Sequence, residues 1–595
     1  MKKLFRYMKP YLGRMSVGLI IKIAGTLAEL ALPYILSLIL DEVIPAAAAE
    51  GDRGAGIRRI LLWGGLMVLC AAAALIFNVV ANRMASLVAR DTARLIRHDL
   101  FDSTLRLSCA QADAFTVPSL ESRLTTDTYN VHHMVGMMQR IGVRAPILLL
   151  GGLTITLFLD PVLTLVMLGV LPLIALVVYL VSKRGVTLFR NSQRSGDAMI
   201  RVVREDVQGI RVIKALSRKE YEKDRYAAVN DQLVHDEFRA SVTMAISNPV
   251  INLFLNLGLV AVLIVGAIRV NNGVCLPGKI IAFIQYFTLL SNALLSITRI
   301  FMMMTKGTAS MNRINEVVEA AAEHRAQPLG QHLSRPANPD SYLEFDHVRF
   351  SYRGKTDNLH DIDFRLPCGG TLGVIGATGS GKSTLLALLL RFYQVAEGCG
   401  AVRLGGKDIR DMTAEELRRR FGVAMQNDFL FAGTIGENIR FDRDLTREQI
   451  EKAARAAQAW EFISALPEGL DYKLTSKGTN LSGGQKQRLL IARALAGDPD
   501  ILILDDASSA LDYRTDAQLR QALRADAAER AKEGGLDPVT TIVIAQRVSS
   551  IKHADLILVL DKGEVIGAGT HEELTESCPV YSEIAQSQMG GAILD

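Results

Sequence analysis

Cysteine is scarce and scattered. Six stand in 595 residues, at Cys70, Cys109, Cys275, Cys368, Cys399 and Cys578, with no C-x-x-C spacing and no neighbouring His pair. That pattern excludes a Cys/His zinc site and a disulfide framework, and the six read as free thiols in membrane or cytosol. A surplus of charge is missing as well. Lys and Arg number 67 against 62 Asp and Glu, a net of +5, too little at this length for a nucleic-acid footprint or an acidic partner. Finally, apolar runs of roughly 20 residues are absent after Pro336, although they crowd the first half. The chain therefore reads as two unlike parts.

The first part holds six candidate membrane spans, near Ser16–Leu40, Arg59–Ala81, Pro146–Leu159, Val162–Val181, Ile246–Val270 and Ile280–Met304. The basic N-terminus, the first apolar run and Ala46–Ala49 superficially suggest a secretory leader. A leader's apolar region covers only about 7–15 residues, however, so a retained span is expected. The third span is short counted from Pro146, so its helix is expected to begin earlier, and the third and fourth form a hairpin through Asp160-Pro161. Spans two and three, and spans four and five, are separated by long charged amphipathic stretches, with Val202, Val203, Val207, Ile210 and Ile213 at helical spacing. These predict long helices projecting into water. Lys2, Lys3, Arg6, Lys9 and Arg14 precede span one and Lys183, Arg184 and Arg190 follow span four, which places both termini and both long loops in the cytosol.

Lys22 and Glu29 are ionisable residues inside span one, seven apart. The plainer reading has Lys22 snorkelling to the cytosolic end and Glu29 facing a wet cavity; the other is contact with a substrate. Met302-Met303-Met304 is expected to pack in the core or against lipid, the alternative being an adaptable binding surface.

Three prolines between Ala326 and Pro339 mark a linker. Beyond it comes an α/β domain. Gly376-Ala377-Thr378-Gly379-Ser380-Gly381-Lys382-Ser383 fits G-x-x-x-x-G-K-[ST] between a short strand, Leu372–Ile375, and a helix that starts with Thr384. The glycines let backbone N–H groups face phosphate oxygens, Lys382 reaches the β/γ-phosphates and Ser383 can ligate Mg²⁺. Ile501-Leu502-Ile503-Leu504-Asp505-Asp506 reads as a buried strand ending in two acids, where Asp505 is positioned to hold Mg²⁺. Leu481-Ser482-Gly483-Gly484-Gln485 precedes a helix expected from near Lys486, with Ser482 as an N-cap. Tyr352 lies 24 residues before the P-loop, and an aromatic there can stack on adenine, the plainer alternative being a core or edge-strand tyrosine.

Taken together these motifs resemble the ATP-binding cassette (ABC) exporter family over nearly the whole chain. Ser482-Gly483-Gly484-Gln485 is similar to the family signature, Gln426 to the Q-loop glutamine and a further Mg²⁺ ligand, Ser509-Ala510-Leu511-Asp512 to the D-loop, and Tyr352 to the A-loop aromatic. With them the resemblance assigns Gly376, Thr378, Gly379, Ser380, Gly381, Lys382, Ser383 and Thr384 to ATP. It implies a six-helix all-α transmembrane domain (1–325), a linker (326–340) and a cassette domain (341–595). It also implies coupling helices near 111–118 and 209–216, and two half-transporters whose cassettes face head to tail. Gln111-Ala112 stand where an aromatic pair is common.

Three positions depart from the family pattern. Asp506 replaces the usual catalytic Glu, Gln546 the switch His, and Ser476 a Glu ahead of the signature. Asp506 is one methylene short, which withdraws its carboxylate by roughly 1.5 Å from the attacking water. Gln546 can still donate to a γ-phosphate but carries no titratable proton. The resemblance thus implies the degenerate chain of a heterodimeric exporter in the inner (plasma) membrane. Its partner would be a second half-transporter carrying the Glu and His, and its cargo a small amphipathic drug, lipid or peptide. The alternatives are an importer on the exporter fold, as in some siderophore carriers, and an ATP-gated channel or regulator.

Overall fold

The structure, a computed structural model, describes residues 2–49, 53–320, 341–352, 354, 356–426, 429–507, 511–532 and 538–590. The expected linker, 326–340, lies outside them. The described chain divides into two compact units, Met1–Leu105 with Thr116–Ala320, and Arg106–Phe115 with Ala321–Asp595.

The first unit is built on long helices: α1 (Leu12–Leu38), α2 (Arg53–Leu105), α3 (Thr128–Leu159), α4 (Pro161–Gln208), α5 (Lys219–Ala245), α6 (Ser247–Asn271) and α7 (Pro277–Val318). Six helical stretches are long and apolar enough to cross a membrane, as the hydropathy pattern predicts. At 1.5 Å per residue α2 and α4 each run about 70–80 Å, far beyond a hydrocarbon core of about 30 Å. The surplus is the charged, amphipathic sequence. The third span does begin before Pro146, which lies inside α3.

The hairpin between α3 and α4 is fixed by one carboxylate. Asp160 takes an extended conformation, and its Oδ1 accepts hydrogen bonds from the N–H groups of Val162 (2.9 Å) and Leu163 (3.2 Å). Pro161 follows at the first helical position, where no N–H is needed. The other oxygen accepts from Arg269 Nε of α6 at 3.0 Å. Further along the bundle, Asp127 is buried and accepts from Ser310 Oγ at 2.8 Å and from Arg313 Nε at 2.9 Å, which ties α7 to the segment entering α3.

One expectation fails here. Lys22 does not snorkel: it is 4% exposed, and its ammonium donates to Asn78 Oδ1 (2.7 Å) and Asn82 Oδ1 (3.0 Å) on α2. Glu29 is part-buried and pairs through both oxygens with Arg144 of α3. The apolar stripe of α4 is also not all covered, since Val202 is buried but Val203 and Val207 are exposed. Of the three methionines, Met302 is exposed, Met303 meets the His133 ring at 3.2 Å and Met304 packs on the core around Leu148 and Leu290.

Among the described residues the second unit carries twelve strands: β1 (Leu343–Phe350), β2 (Leu359–Leu366), β3 (Thr371–Gly376), β4 (Ala401–Leu404), β5 (Lys407–Asp408), β6 (Phe421–Ala424), β7 (Gly433–Thr434), β8 (Lys473–Leu474), β9 (Ile501–Asp505), β10 (Thr540–Ile544), β11 (Leu556–Asp561) and β12 (Glu564–Gly569). An antiparallel sheet runs β2-β1-β4-β5 and a six-stranded sheet runs β12-β11-β3-β10-β9-β6. In the latter β11, β3, β10, β9 and β6 are parallel. All five residues of β9 are buried, as a parallel strand covered on both faces requires. The helices that matter below are α8 (Lys382–Leu389), α9 (Ile435–Arg440), α10 (Arg447–Ala456) and α11 (Gly483–Leu495). The start of α11 is earlier than the expected Lys486. Its cap, Ser482, lies next to two glycines that occupy the first turn, where free N–H groups are ordinary.

Candidate nucleotide-binding site

Four neighbouring parallel strands bring four loops to one sheet edge. The P-loop follows β3, Gln546 lies two residues beyond β10, Asp505 ends β9 with Asp506 just beyond it, and Gln426 lies two residues beyond β6. Register supports the convergence: Ile544 stands beside both Val374 and Asp505, and Ala424 beside Leu504. Neighbouring strands lie about 4.8 Å apart, so these loops meet by topology, although they span some 170 residues of sequence.

The P-loop needs its glycines. Gly379 (φ 85°) and Gly381 (φ 107°) lie in the left-handed region, and a Cβ on Gly376 would come within 2.2 Å of the Leu560 carbonyl oxygen. Lys382 Nζ donates to the carbonyls of Gly376 (2.8 Å) and Ala377 (2.7 Å), which holds the cation over the loop. Burial pushes the Lys382 ammonium pKa down, against the pull of Asp505 and Asp506. Ser380 is buried, Ser383 is exposed at the second position of α8, and Thr384 Oγ1 accepts from the Tyr352 hydroxyl at 3.2 Å. Thr378 lies in the exposed part of the loop.

Asp505 is 7% exposed at the strand end. Burial pushes its carboxyl pKa up and the Asp506 charge adds to this, while the Gln426 backbone N–H and Lys382 oppose it. Asp506 has a left-handed backbone (φ 50°), and its N–H donates to Ile544 O at 2.8 Å. Its Oδ2 accepts two amides, from Gln546 Nε2 at 2.9 Å and from Gln426 Nε2 at 3.1 Å. With that nitrogen so engaged, the Gln426 side-chain oxygen is the atom left to a metal. Ser383 hydroxyl, Asp505 carboxylate and Gln426 carbonyl form a hard oxygen donor set, which fits Mg²⁺.

The signature stands apart from this edge. A capping box closes the start of α11: Ser482 N donates to Gln485 Oε1 at 2.9 Å and Gln485 N to Ser482 Oγ at 3.3 Å. Gln485 is thereby spent on the cap. The Ser482 hydroxyl proton and the N–H groups of Gly483 and Gly484 remain for an anion. A Cβ on Gly483 would meet no atom within 4 Å, so open space adjoins the helix end. The helix packs on α10, α9 and β6; β6 is three places from β3 in the sheet, about 14 Å by strand spacing. Ser476 is exposed in a short turn before the signature. Of the D-loop, Ser509 and Ala510 lie outside the described residues, and the Asp512 carboxylate accepts from Thr515 N at 2.6 Å, which pulls its pKa down.

Sequence reasoning missed Tyr393. Its ring stands edge-on to that of Tyr352, with centroids 4.8 Å apart at 89°, and Phe350 meets Tyr352 likewise at 4.9 Å. The Tyr393 hydroxyl donates to Asp113 Oδ2, in the helix Cys109–Phe115 that overlaps the predicted first coupling helix. Tyr352, Tyr393, Asp113 and Asn358 line an open cavity of about 710 Å³, large enough for an adenine base. The only signal in the sequence was the Phe392-Tyr393 pair after α8.

Comparison with known proteins gives one answer for both units. The family described as ABC transporter transmembrane region matches residues 15–294, and the ABC transporter family matches 359–509. An uncharacterized ABC transporter ATP-binding protein of Bacillus subtilis, YfiB, is 33% identical over 99% of each chain. An ATP-dependent lipid A-core flippase of Chromohalobacter salexigens is 35% identical over 84% of each. Among solved structures, a bacterial Atm1-family ABC exporter with ATP bound matches with a TM-score of 0.81 and 26% identity, covering 97% of this chain and 98% of its own.

Proposed function

The chain belongs to the ABC transporter family, and from that premise we propose that it is the degenerate half of a heterodimeric exporter, embedded in the plasma membrane with both termini cytosolic. The observation that carries this is the carboxylate of Asp506. It is a methylene shorter than the usual Glu, and both Gln546 and Gln426 donate to its Oδ2. An oxygen that accepts two amide hydrogens is poorly placed to take a proton from water, and a misplacement of about 1 Å can cost 10²-fold in rate.

Binding and hydrolysis then divide between two sites. This chain's P-loop, Tyr352 and the donors Ser383, Asp505 and Gln426 hold Mg-ATP. Magnesium supplies charge neutralisation on the phosphates there. Gln546 can donate to a γ-phosphate, but Asp506 takes the water's proton inefficiently. The signature of this chain, on α11 at the far side of the sheet, serves ATP held by the partner, whose own Glu and His complete the fast site. Closing of the cassettes, passed through helices Cys109–Phe115 and Ile210–Ala215, switches the spans between inward-open and outward-open, and the cargo is a small amphipathic molecule.

The test is steady-state ATPase of the purified full chain alone and with a candidate partner. The chain alone should fall well below the several-per-second turnover common for enzymes, and the partnered complex should reach it. Brisk hydrolysis by the chain alone would sink the proposal.

A further inference from the structure

Over the middle of the six-stranded sheet the cover is incomplete. β10 lies between β3 and β9 and runs parallel to both, a setting that calls for burial on both faces. Thr540, Ile542 and Ile544 are buried, but Thr541 and Val543, on the opposite face, are partly exposed. The helix over that face is α12 (Tyr513–Lys532). It presents Asp516, Leu519, Arg520, Leu523 and Arg524, at the i, i+3, i+4, i+7, i+8 spacing of one helix face. Between these side chains and the strands is a cavity of about 250 Å³. An apolar cavity of about 150 Å³ takes up benzene, so this one has room for two fused rings.

Its floor and its mouth differ in chemistry. Leu504 and Val543 stand side by side in register on β9 and β10, and both line it with Ala507 and Leu519. Arg520 is committed elsewhere: it pairs with Asp516 at 2.6 Å and donates to the Ser549 carbonyl. Arg524, one turn later, has no acidic partner among the described residues. Of the lining residues Arg524 and His553 alone are exposed, so they frame the mouth. An apolar floor under a guanidinium rim is complementary to an anion carried on an apolar body.

The floor also adjoins the nucleotide edge. Leu504 precedes Asp505, Ala507 follows Asp506, and Val543 precedes Ile544, whose carbonyl accepts the Asp506 N–H at 2.8 Å. A ligand resting on Leu504, Ala507 and Val543 therefore bears on the backbone that aims both acids.

We propose that this cavity is a regulatory site for a small carboxylate with an apolar body of about two fused rings. The body lies between α12 and the Leu504–Val543 pair, and the carboxylate meets Arg524. Binding changes nucleotide affinity, because the strand end beneath the ligand carries Asp505, and linkage makes the effect reciprocal. The site stands whichever half of the transporter hydrolyses ATP.

The experiment uses the full chain in nanodiscs of zwitterionic lipid, with empty nanodiscs as the blank. Fluorine NMR measures binding of 6-fluoro-2-naphthoate and of its neutral carboxamide, which keeps the rings and lacks the charge. Wild type should bind the carboxylate saturably and at least fivefold more tightly than the carboxamide. Arg524→Gln should erase that preference and leave ATP affinity without the probe unchanged, while Arg524→Lys should keep part of the preference. Leu523→Trp should weaken both probes by filling the cavity; should it fail to fold, the Arg524 pair alone decides. Saturating naphthoate should shift the affinity for a fluorescent ATP analogue at least twofold, and saturating Mg-ATP should shift that for naphthoate by the same factor. Uptake no greater than by empty nanodiscs, equal affinity for the two probes, or a preference untouched by Arg524→Gln would overturn the proposal. Complete displacement of naphthoate by ATP would place it in the nucleotide cavity and overturn the proposal as well. Saturable binding that leaves ATP affinity unchanged would defeat the regulatory role.

Discussion

Gln546 and Asp506 are hydrogen-bonded, amide nitrogen to carboxylate oxygen, at 2.9 Å. In a site with Glu and His at these positions, the longer acid would reach the water and the imidazole would bring a titratable proton. Here the two shortened or neutral groups satisfy each other. Asp506→Glu with Gln546→His should therefore raise turnover at this site, and either change alone should do less, because the remaining partner keeps the old geometry. Single-turnover hydrolysis with radiolabelled ATP, assigned to this chain by photo-crosslinking, measures it. No gain in the double variant would locate the defect elsewhere, the partner's signature that completes this site in a head-to-tail pair being the first candidate.

Tyr393 connects the Tyr352 ring to Asp113. Burial and the Asp113 carboxylate both push its phenol pKa up, so the hydroxyl stays a donor across the working pH range. Tyr393→Phe keeps the edge-on ring and removes the bond. ATP affinity is expected to change less than twofold while transport per ATP hydrolysed falls several-fold, as a typical hydrogen bond open to solvent is worth about 0.5–1.5 kcal/mol. Equal loss in both quantities would make Tyr393 a packing residue.

The pKa directions at the P-loop give a bell-shaped nucleotide affinity. Burial raises the Asp505 carboxyl pKa, so on acidification it is protonated, and lost to Mg²⁺, sooner than an ordinary carboxylate near 3.9. Burial lowers the Lys382 pKa, so on alkalinisation its charge is lost sooner than that of an ordinary lysine near 10.4. Affinity for a fluorescent ATP analogue should fall on both sides. The acid limb should flatten without Mg²⁺ and in Asp505→Asn, the alkaline limb in Lys382→Arg. An acid limb that survives Asp505→Asn would assign it to another group.

Much of this was legible because the sequence carries local signals. The apolar run Ile501–Leu504 ending in two acids, the P-loop between strand and helix, Asp160-Pro161 between two apolar runs and the six spans are all local in sequence, and each appears in the structure where periodicity or capping places it. What failed was pairing at a distance. Lys22 read as a snorkelling residue because Asn78 and Asn82 lie 56 and 60 positions away, and no helical period announces a partner on another helix. Tyr393 was missed for the same reason, its partner Asp113 lying 280 positions upstream. The start of α11 was misplaced because Gly483-Gly484 weighs against helix interior, whereas a first turn held by the Ser482–Gln485 box tolerates glycine.

The sharpest prediction contrasts Ser482 with Asp506. In a head-to-tail pair of cassettes, the Ser482 hydroxyl and the N–H groups at the start of α11 would meet the γ-phosphate of ATP on the partner. Such donors stabilise charge that grows as the phosphoryl group transfers, and losing one costs about 10²–10³ in rate. Ser482→Ala also removes an N-cap, worth about 1 kcal/mol, so thermal stability must be followed; Ser482→Asn, which keeps the cap but changes the donor, separates the two effects. Asp506→Ala acts at the site that is already slow, so the partner's carboxylate sustains turnover and the loss should stay within a few-fold. In the same partnered complex, Ser482→Ala and Gly484→Asp should nearly abolish steady-state ATPase, with Asp506→Ala close to wild type. If Asp506→Ala proves the more damaging, this chain's own Walker site is the working one and the division of labour proposed here is reversed.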